Sequence, residues 1–311
     1  IKVDKSFCII PVSIRSGFDL VIRHSSRNAS LLSFHTGSYI LLNIIKRDGR
    51  REPYRRDKLF AGILRCSNYT IADKVVRIVE NRIQAAGGNA DITADELRNM
   101  ALEVLRVESP PSALRYDLRR SIMKLGPNGF AFEDFIADML RLEGKDVQVR
   151  VKERGKCALH ELDIIYEEQG GRHFIECKYH NEYGIYTGLK EAMYTYMRLL
   201  DLRDNGLGYT NCTLVTNTKV SWEAVDFSSC KHMNVIGWNF PPGHGLERTL
   251  ERLNMYPVTV LEKQLQPEQV YHLLNEHIVT LRDLIAAYDG GKLDKGFESS
   301  VDLSRETVSN G

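Results

Sequence analysis

Leu41-Leu42-Asn43-Ile44-Ile45-Lys46-Arg47-Asp48-Gly49-Arg50-Arg51-Glu52-Pro53-Tyr54-Arg55 reads as two short strands folded about a tight turn. Leu42 to Lys46 has the apolar, β-branched character of a strand, and Asp48-Gly49 tolerates the positive φ that a hairpin turn requires. Arg50 to Arg55 then returns. Downstream the period changes to that of helices. Asp57 is placed to cap a helix through about Ser67, and Thr70-x-x-Asp73 opens a second that Gly87-Gly88 closes. Thr93-x-x-Glu96 opens a third, with Leu97, Met100, Ala101, Val104 and Leu105 on one face. Pro110-Pro111 interrupts, and a fourth helix runs from about Ser112 to Leu125. A hairpin and four short helices make one module, residues 41–126.

Upstream, residues 1–40 alternate poorly and contain no Met, the first being Met100. They read as an extension reaching beyond the true start, with a short β-rich arm as the alternative. Downstream, Gly126-Pro127-Asn128-Gly129 is a linker, and a mixed α/β pattern occupies residues 127–242. It runs as a helix from Phe132 to Glu143, a strand carrying Val147, Val149 and Val151, and strands over Leu162 to Tyr166 and His173 to Tyr179. A long helix from Thr187 to Leu202 follows, then a strand over Cys212 to Thr216, a helix from Ser221 to Ser229 and a strand over Val235 to Trp238. Residues 243–311 read as a small helical region with a polar tail after Gly290. The fold class is therefore multidomain α+β.

The 311 residues carry a net charge of +1, with 43% apolar and 27% charged side chains, so any polyanion-binding surface is a local patch. Six scattered cysteines without C-x-x-C spacing argue against a zinc knuckle or disulfide framework and for a reducing cytosol. No apolar run approaches the roughly 20 residues that span a bilayer.

Two charge constellations stand out. Between Leu41 and Lys58 there are seven Lys or Arg against three acids, a cluster of donors suited to a triphosphate. Consecutive strand residues point oppositely, so Lys46 and Arg47 share a pocket only if it wraps the strand edge. A basic hairpin on DNA phosphates is the other reading. No Walker A pattern occurs, so motor-type ATP hydrolysis is not implied.

The second constellation is Asp163 on one strand and Glu176-x-Lys178 on the next. Glu176 and Lys178 share a face, and a hairpin brings Asp163 alongside. Paired carboxylates are costly without a compensating cation, which Mg²⁺ supplies. A solvated strand face with a minor salt bridge is the plain alternative, because about one Glu-x-Lys arises by chance in a chain of this length. Glu143-x-Lys145 is such a chance occurrence.

Ile44-Ile45-Lys46-Arg47-Asp48-Gly49-Arg50, Pro53-Tyr54, Asp57-Lys58-Leu59 and the later Arg115-Tyr116 resemble the ATP-cone domain. The resemblance implies binding of ATP or dATP as a regulatory ligand, with Lys46, Arg47 and Lys58 contacting the nucleotide. Phe132-Glu133, His160-Glu161-Leu162-Asp163, Ile175-Glu176-Cys177-Lys178-Tyr179-His180, Ala192-Met193-Tyr194, Arg198, Thr216-Asn217-Thr218-Lys219 and Gly237-Trp238 resemble the Mrr-like restriction endonucleases of the PD-(D/E)xK superfamily. That likeness implies a restriction-endonuclease-like core with a mixed central sheet. Asp163 and Glu176 would be metal ligands, Lys178 the catalytic lysine and Glu133 an accessory acid, with a helix-surface glutamate as the alternative for Glu133. His160 would touch phosphate or, preferably, brace the hairpin. Tyr179, His180, Tyr183, Tyr186 and Lys190 would stack on bases or contact phosphate, whereas core packing is favoured for Tyr194 and Tyr196. The C-terminal stretch through Thr280-Leu281-Arg282-Asp283-Leu284 resembles helix-hairpin-helix DNA-binding modules, with a packing cap or dimer element as an equal reading.

The expectation is a cytoplasmic, nucleotide-regulated, Mg²⁺-dependent DNA endonuclease acting in restriction or repair. Its partners would be DNA and ATP or dATP, with a homo-oligomer left open and no membrane. The alternative is a nucleotide-sensing DNA-binding regulator without catalysis.

Overall fold

The computed structural model describes residues 42–87, 91–127 and 129–309, all within one compact unit. The reading of residues 1–40 as an extension lies outside the described residues.

The hairpin forms as expected from β1 (Asn43–Ile45) and β2 (Arg51–Pro53), paired with Ile44 opposite Glu52. Gly49 takes a φ of +80°, a region costly to a side chain, and its N–H donates to the Lys46 carbonyl at 2.9 Å. Helices α1 (Arg56–Leu64) and α2 (Tyr69–Ala85) follow. Asp57 lies inside the first turn of α1, so it does not cap it, and Asn68 rather than Thr70 caps α2 by accepting from the Ile71 N–H at 3.0 Å. Helix α2 buries Ala72, Val75, Val76, Val79 and Ile83, the spacing of one helical face. The chain then forms β3 (Ile92–Thr93), which lies parallel to β1 and was not foreseen. Thr93 caps α3 (Ala94–Glu108) in the expected capping box with Glu96. The prolines open α4 (Pro110–Tyr116) instead of interrupting it, and Asp117 separates it from α5 (Leu118–Ile122).

Beyond the linker, α6 (Phe130–Leu142) leads into β4 (Val147–Arg154), β5 (Leu159–Glu168) and β6 (Gly171–Lys178). Then come β7 (Tyr186–Thr187), α7 (Leu189–Asp204), β8 (Tyr209–Thr216), β9 (Lys219–Val220), α8 (Trp222–Lys231) and β10 (Asn234–Ile236). The main sheet has the order β10-β8-β6-β5-β4, parallel across the first three strands and antiparallel across the last three. On one face α6 packs Phe132, Phe135 and Ile136 against Ile164, Ile175 and Val215. On the other, Ala192, Leu199 and Leu202 of α7 pack against Leu162, Phe174 and Leu214. Fully burying a phenylalanine such as Phe132 or Phe135 contributes about 1.5–3 kcal/mol relative to exposure. The structure is thus a helical hairpin module joined to a mixed α/β core with several sheets.

Helices α9 (Leu246–Leu253), α10 (Pro267–Asn275), α11 (Leu281–Asp289) and α12 (Glu298–Ser309) close the fold. Leu250, Leu273, Leu284 and Val301 join the same core as α6. The expected polar tail is corrected, because α12 buries Val301, Ser304 and Thr307. Its polarity misleads because Ser304 and Thr307 bond the carbonyls of Ser300 and Leu303 one turn back, which satisfies their hydroxyls inside the helix. Arg115 of α4 donates to the Thr307 carbonyl at 3.0 Å, tying the chain's last helix to the helical module.

Candidate functional site

Strand β1 ends at Ile45, so Lys46 and Arg47 stand in the turn and escape the strand's alternation. Both face a cleft of about 900 Å³ that is also lined by Arg50, Arg98, Arg119, Tyr183, Asn217 and Lys219. The objection that neighbouring strand residues diverge therefore does not apply here. Arg47 grips Asp95 through two bonds of 2.9 and 2.6 Å, and its guanidinium lies 3.6 Å from the centroid of the Tyr183 ring. Asp95 opens α3, and Tyr183 belongs to the loop after β6, so one arginine joins the hairpin to the α/β core. Lys46 and Lys58 share Glu52 at 3.3 and 3.1 Å. The two lysines hold Glu52 below the usual carboxylate range, as Arg47 does Asp95. All of these pairs are substantially exposed, where an ion pair contributes little, so an incoming polyphosphate can exchange with the carboxylates at little cost.

The second constellation is differently built. The β5–β6 ladder stops at the Ile164–Ile175 pair, one step short of Asp163 and Glu176. Opposite Asp163, Arg150 of β4 has a φ of +53° and is skipped by the β4–β5 ladder. The alternation breaks there, with Leu162 in the α7-side core and Ile164 in the α6-side core. Asp163 uses its carboxylate to accept the Cys177 N–H at 2.7 Å. Glu176 is ion-paired with Arg198 of α7, which also donates to the Glu161 carbonyl. Glu133 of α6 bonds Arg150 at 3.3 Å, and Arg150 bonds Asp134 at 2.8 Å. Burial first, then the Asp163 charge, pushes both Glu133 and Glu176 up to about 7; burial also raises Asp163. The structure thus brings Glu133, Asp163 and Glu176 together, but with arginines as internal counter-ions. Lys178 sits two residues further along β6, half-buried.

Of the other residues singled out, His160 braces its strand through a 2.7 Å bond to Asp201. Tyr179 packs 5.6 Å from Phe132, with its hydroxyl buried. Tyr196 packs against Phe227, but Tyr194 is 60% exposed, contrary to its assignment to the core. Arg150 and Arg119 were missed. The available signal for Arg198 was its place on the buried stripe of α7 between Thr195 and Leu202, where an unpaired charge would be costly.

A hairpin-and-helix nucleotide-binding module carried on an α/β core is the class of protein that these features define. Residues 42–122 match the ATP cone domain family. The chain is 38% identical over 152 residues to an uncharacterized protein of Archaeoglobus fulgidus, spanning 49% of this chain and 84% of that protein, and it belongs to that protein's family. A solved structure, that of the protein of unknown function AF1548, is similar with a TM-score of 0.51 and 32% identity, covering 59% of this chain and 100% of that one. The transcriptional repressor NrdR of Microcystis aeruginosa is 28% identical over 115 residues, or 35% of this chain and 63% of the repressor. NrdR of Thermus thermophilus is 33% identical over 66 residues, or 21% of this chain and 43% of the repressor. The chain therefore spans less than two thirds of the length of either repressor.

These findings overturn the expectation of an Mrr-like, Mg²⁺-dependent endonuclease. The relatives are named as transcriptional repressors or are uncharacterized, and the family model that matches is that of the ATP cone, over residues 42–122. Among the described residues no group of three or more His, Cys, Asp or Glu side chains is arranged to hold a metal ion. The physical reason lies in the arginines: Arg198 and Arg150 already supply the positive charge that a cation was expected to bring. Among the described residues no helix is long and apolar enough to cross a membrane.

Proposed function

We propose that this chain is a nucleotide-sensing, DNA-binding regulator of the cytosol, in which ATP or dATP held by Lys46, Arg47 and Lys58 shifts the affinity for DNA. The observation that carries the reading is Arg47, which bonds Asp95 while lying on Tyr183. A phosphate that takes Arg47 from Asp95 also alters what holds the Tyr183 loop, and that loop leads directly to Tyr186 and Lys190, both exposed. The helical module is the sensor in this reading, and the α/β core with its C-terminal helices is the body that meets DNA. The similarity to proteins named transcriptional repressors supports the DNA arm. Cations clustered at an exchangeable hairpin support the nucleotide arm. The nucleotide acts by binding and population shift, so its effect is capped by its preference for one state, typically about 5–150-fold.

The test is anisotropy of labelled duplex DNA titrated with the full chain, with and without ATP or dATP. We expect a nucleotide-dependent shift of affinity within that range, lost in the Lys46→Ala/Arg47→Ala variant, and a steep decline of affinity with salt. DNA affinity that is measurable but indifferent to both nucleotides would overturn the reading.

A further inference from the structure

The cleft beside the hairpin has a second wall, and its cations differ from the rest. Arg98 is bound to Asp117 at 3.1 Å, and Arg115 is spent on the Thr307 and Cys66 carbonyls. Arg65 is paired with Glu247 at 3.5 Å. Arg119 and Lys219 form no ion pair with a carboxylate among the described residues, although Glu247 on the cleft wall acts on Arg119 through its charge. Arg119 stands on α5 with its Nε buried and without a hydrogen-bond partner. Its guanidinium is flanked by aromatic rings, with centroids at 6.0 Å for Tyr183 and 5.8 Å for Trp238. Lys219 enters from β9 opposite Tyr186, its Nζ 5.6 Å from that ring. Asn217, two residues before Lys219, pins the chain after β6 by exchanging bonds of 2.9 and 2.7 Å with the His180 backbone.

A half-buried guanidinium with an unpartnered Nε and no directly paired anion is costly, and aromatic faces compensate only in part. The cleft's volume of about 900 Å³ falls in the range of about 300–1,000 Å³ usual for small ligands. Lys46 and Arg47 line it from the hairpin side. Cations on two walls suit a ligand whose negative charge is extended, such as the polyphosphate chain of a nucleotide.

We propose that Arg119 of the helical module and Lys219 of the α/β core form an anion subsite that receives the polyphosphate of the hairpin-bound nucleotide, so that Lys219 brings the α/β core into the nucleotide site. This rests on the regulatory reading above and assigns its coupling. The ligand itself spans the two parts, and Tyr183, lying between Arg47 and Arg119, is the residue whose contacts change when it binds. A bare nucleoside carries no negative charge for either wall.

The experiment is calorimetric titration of the full chain with ATP, ADP, adenosine and inorganic triphosphate. It compares wild type with Arg119→Met, Lys219→Met and the charge-retaining Arg119→Lys. We expect ATP affinity to fall about tenfold or more in each Met variant, with Arg119→Lys less affected and adenosine binding equal in all. Inorganic triphosphate should bind the wild type and lose affinity in the Met variants. Lys219 is exposed, so its substitution leaves the fold intact and the result readable even if Arg119→Met is unstable. ATP bound equally by wild type, Lys219→Met and Arg119→Met, or by wild type and Lys219→Met where Arg119→Met does not fold, would overturn the subsite while leaving the regulatory reading standing. No nucleotide binding by the wild type would overturn both. Met variants that keep ATP affinity but lose duplex affinity would make these cations DNA contacts and overturn the subsite.

Discussion

At the hairpin, the side chains of Arg47 and Asp95 are about half exposed, at 49% and 50%, whereas in the sheet those of Arg198 and Glu176 are 7% and 21% exposed. Both are arginine–carboxylate pairs with close hydrogen bonds, yet their physics is opposite. The hairpin carboxylates are held below their ordinary range by the cations they touch, and water remains to receive either partner if the pair opens. The sheet carboxylates are driven up by burial, and opening their pairs would strand charge in a place that water reaches poorly. The sequence motif around Asp163, Glu176 and Lys178 draws the eye first because it resembles a metal site. The comparison teaches that the exchangeable cluster is the one fitted for a ligand, and that the enclosed one is architecture with its counter-ions built in.

The sharpest way to break this contrast is to remove Arg198. Arg198→Met strands Glu176 and frees the Glu161 carbonyl, and breaking a buried pair from one side typically costs about 3–5 kcal/mol. The loss should be largest near pH 8, where Glu176 is ionised, and smaller near pH 5, where it can take up a proton. Adding Glu176→Gln to that variant should restore much of the stability. Urea denaturation at the two pH values measures all three proteins. An Arg198→Met protein as stable as wild type at pH 8 would end the claim that this pair is structural.

Titration should separate the two regions next. Glu133 and Glu176 have folded values of about 7 against an ordinary 4.5, so the folded state binds their protons more tightly than the unfolded state does. Their favourable contribution is complete below about pH 4.5 and is lost as pH rises through about 7. At the hairpin the sign reverses: Asp95 and Glu52 are lowered, so their contribution is present above the ordinary carboxylate values and is lost as pH falls below them. Amide hydrogen exchange, corrected for the intrinsic pH dependence, should show β5 and β6 less protected at pH 7.5 than at pH 5. Glu133→Gln should reduce that difference. Protection of the sheet that increases across this window would contradict the burial argument.

What the sequence made legible was local. The Asp48-Gly49 turn, the Thr93–Glu96 capping box and the stripe Ala101, Val104, Leu105 are each decided within a few residues, and all stand in the structure. The order of the sheet was not legible, because β6 pairs with β8 only after the whole of α7 has intervened. Nor was β3, two residues long and defined by pairing with a strand nearly fifty positions earlier. Helix α12 was hidden by hydroxyls that the helix itself satisfies. For the candidate site, the hairpin cations were readable as a local excess of charge, but Tyr183 and Arg119 join them only through tertiary packing. The same limit explains the misread sheet cluster. Glu176 and Lys178 are two residues apart and visible together, whereas the arginine that neutralises Glu176 is on α7, twenty-two positions away.

The smallest expected effect tests the other side of the comparison. Asp95→Asn removes the hairpin's exposed counter-ion and an acid from the first turn of α3. An exposed pair contributes about 0–1 kcal/mol, and a first-turn acid typically about 0.3–1 kcal/mol, so the change in stability should be at most about 2 kcal/mol. Its effect on ligand binding should have the opposite sign. In the wild type a phosphate must displace the Asp95 carboxylate from Arg47 and approach against its charge; with asparagine there, neither obstacle remains. Affinity for ATP should rise by up to about fivefold, the equivalent of that pair energy. Thermal unfolding and calorimetric titration of the same preparation measure the two quantities. A variant that binds ATP more weakly would place Asp95 among the groups that hold the nucleotide, and a loss of several kcal/mol would show that the hairpin pair is as structural as the one in the sheet.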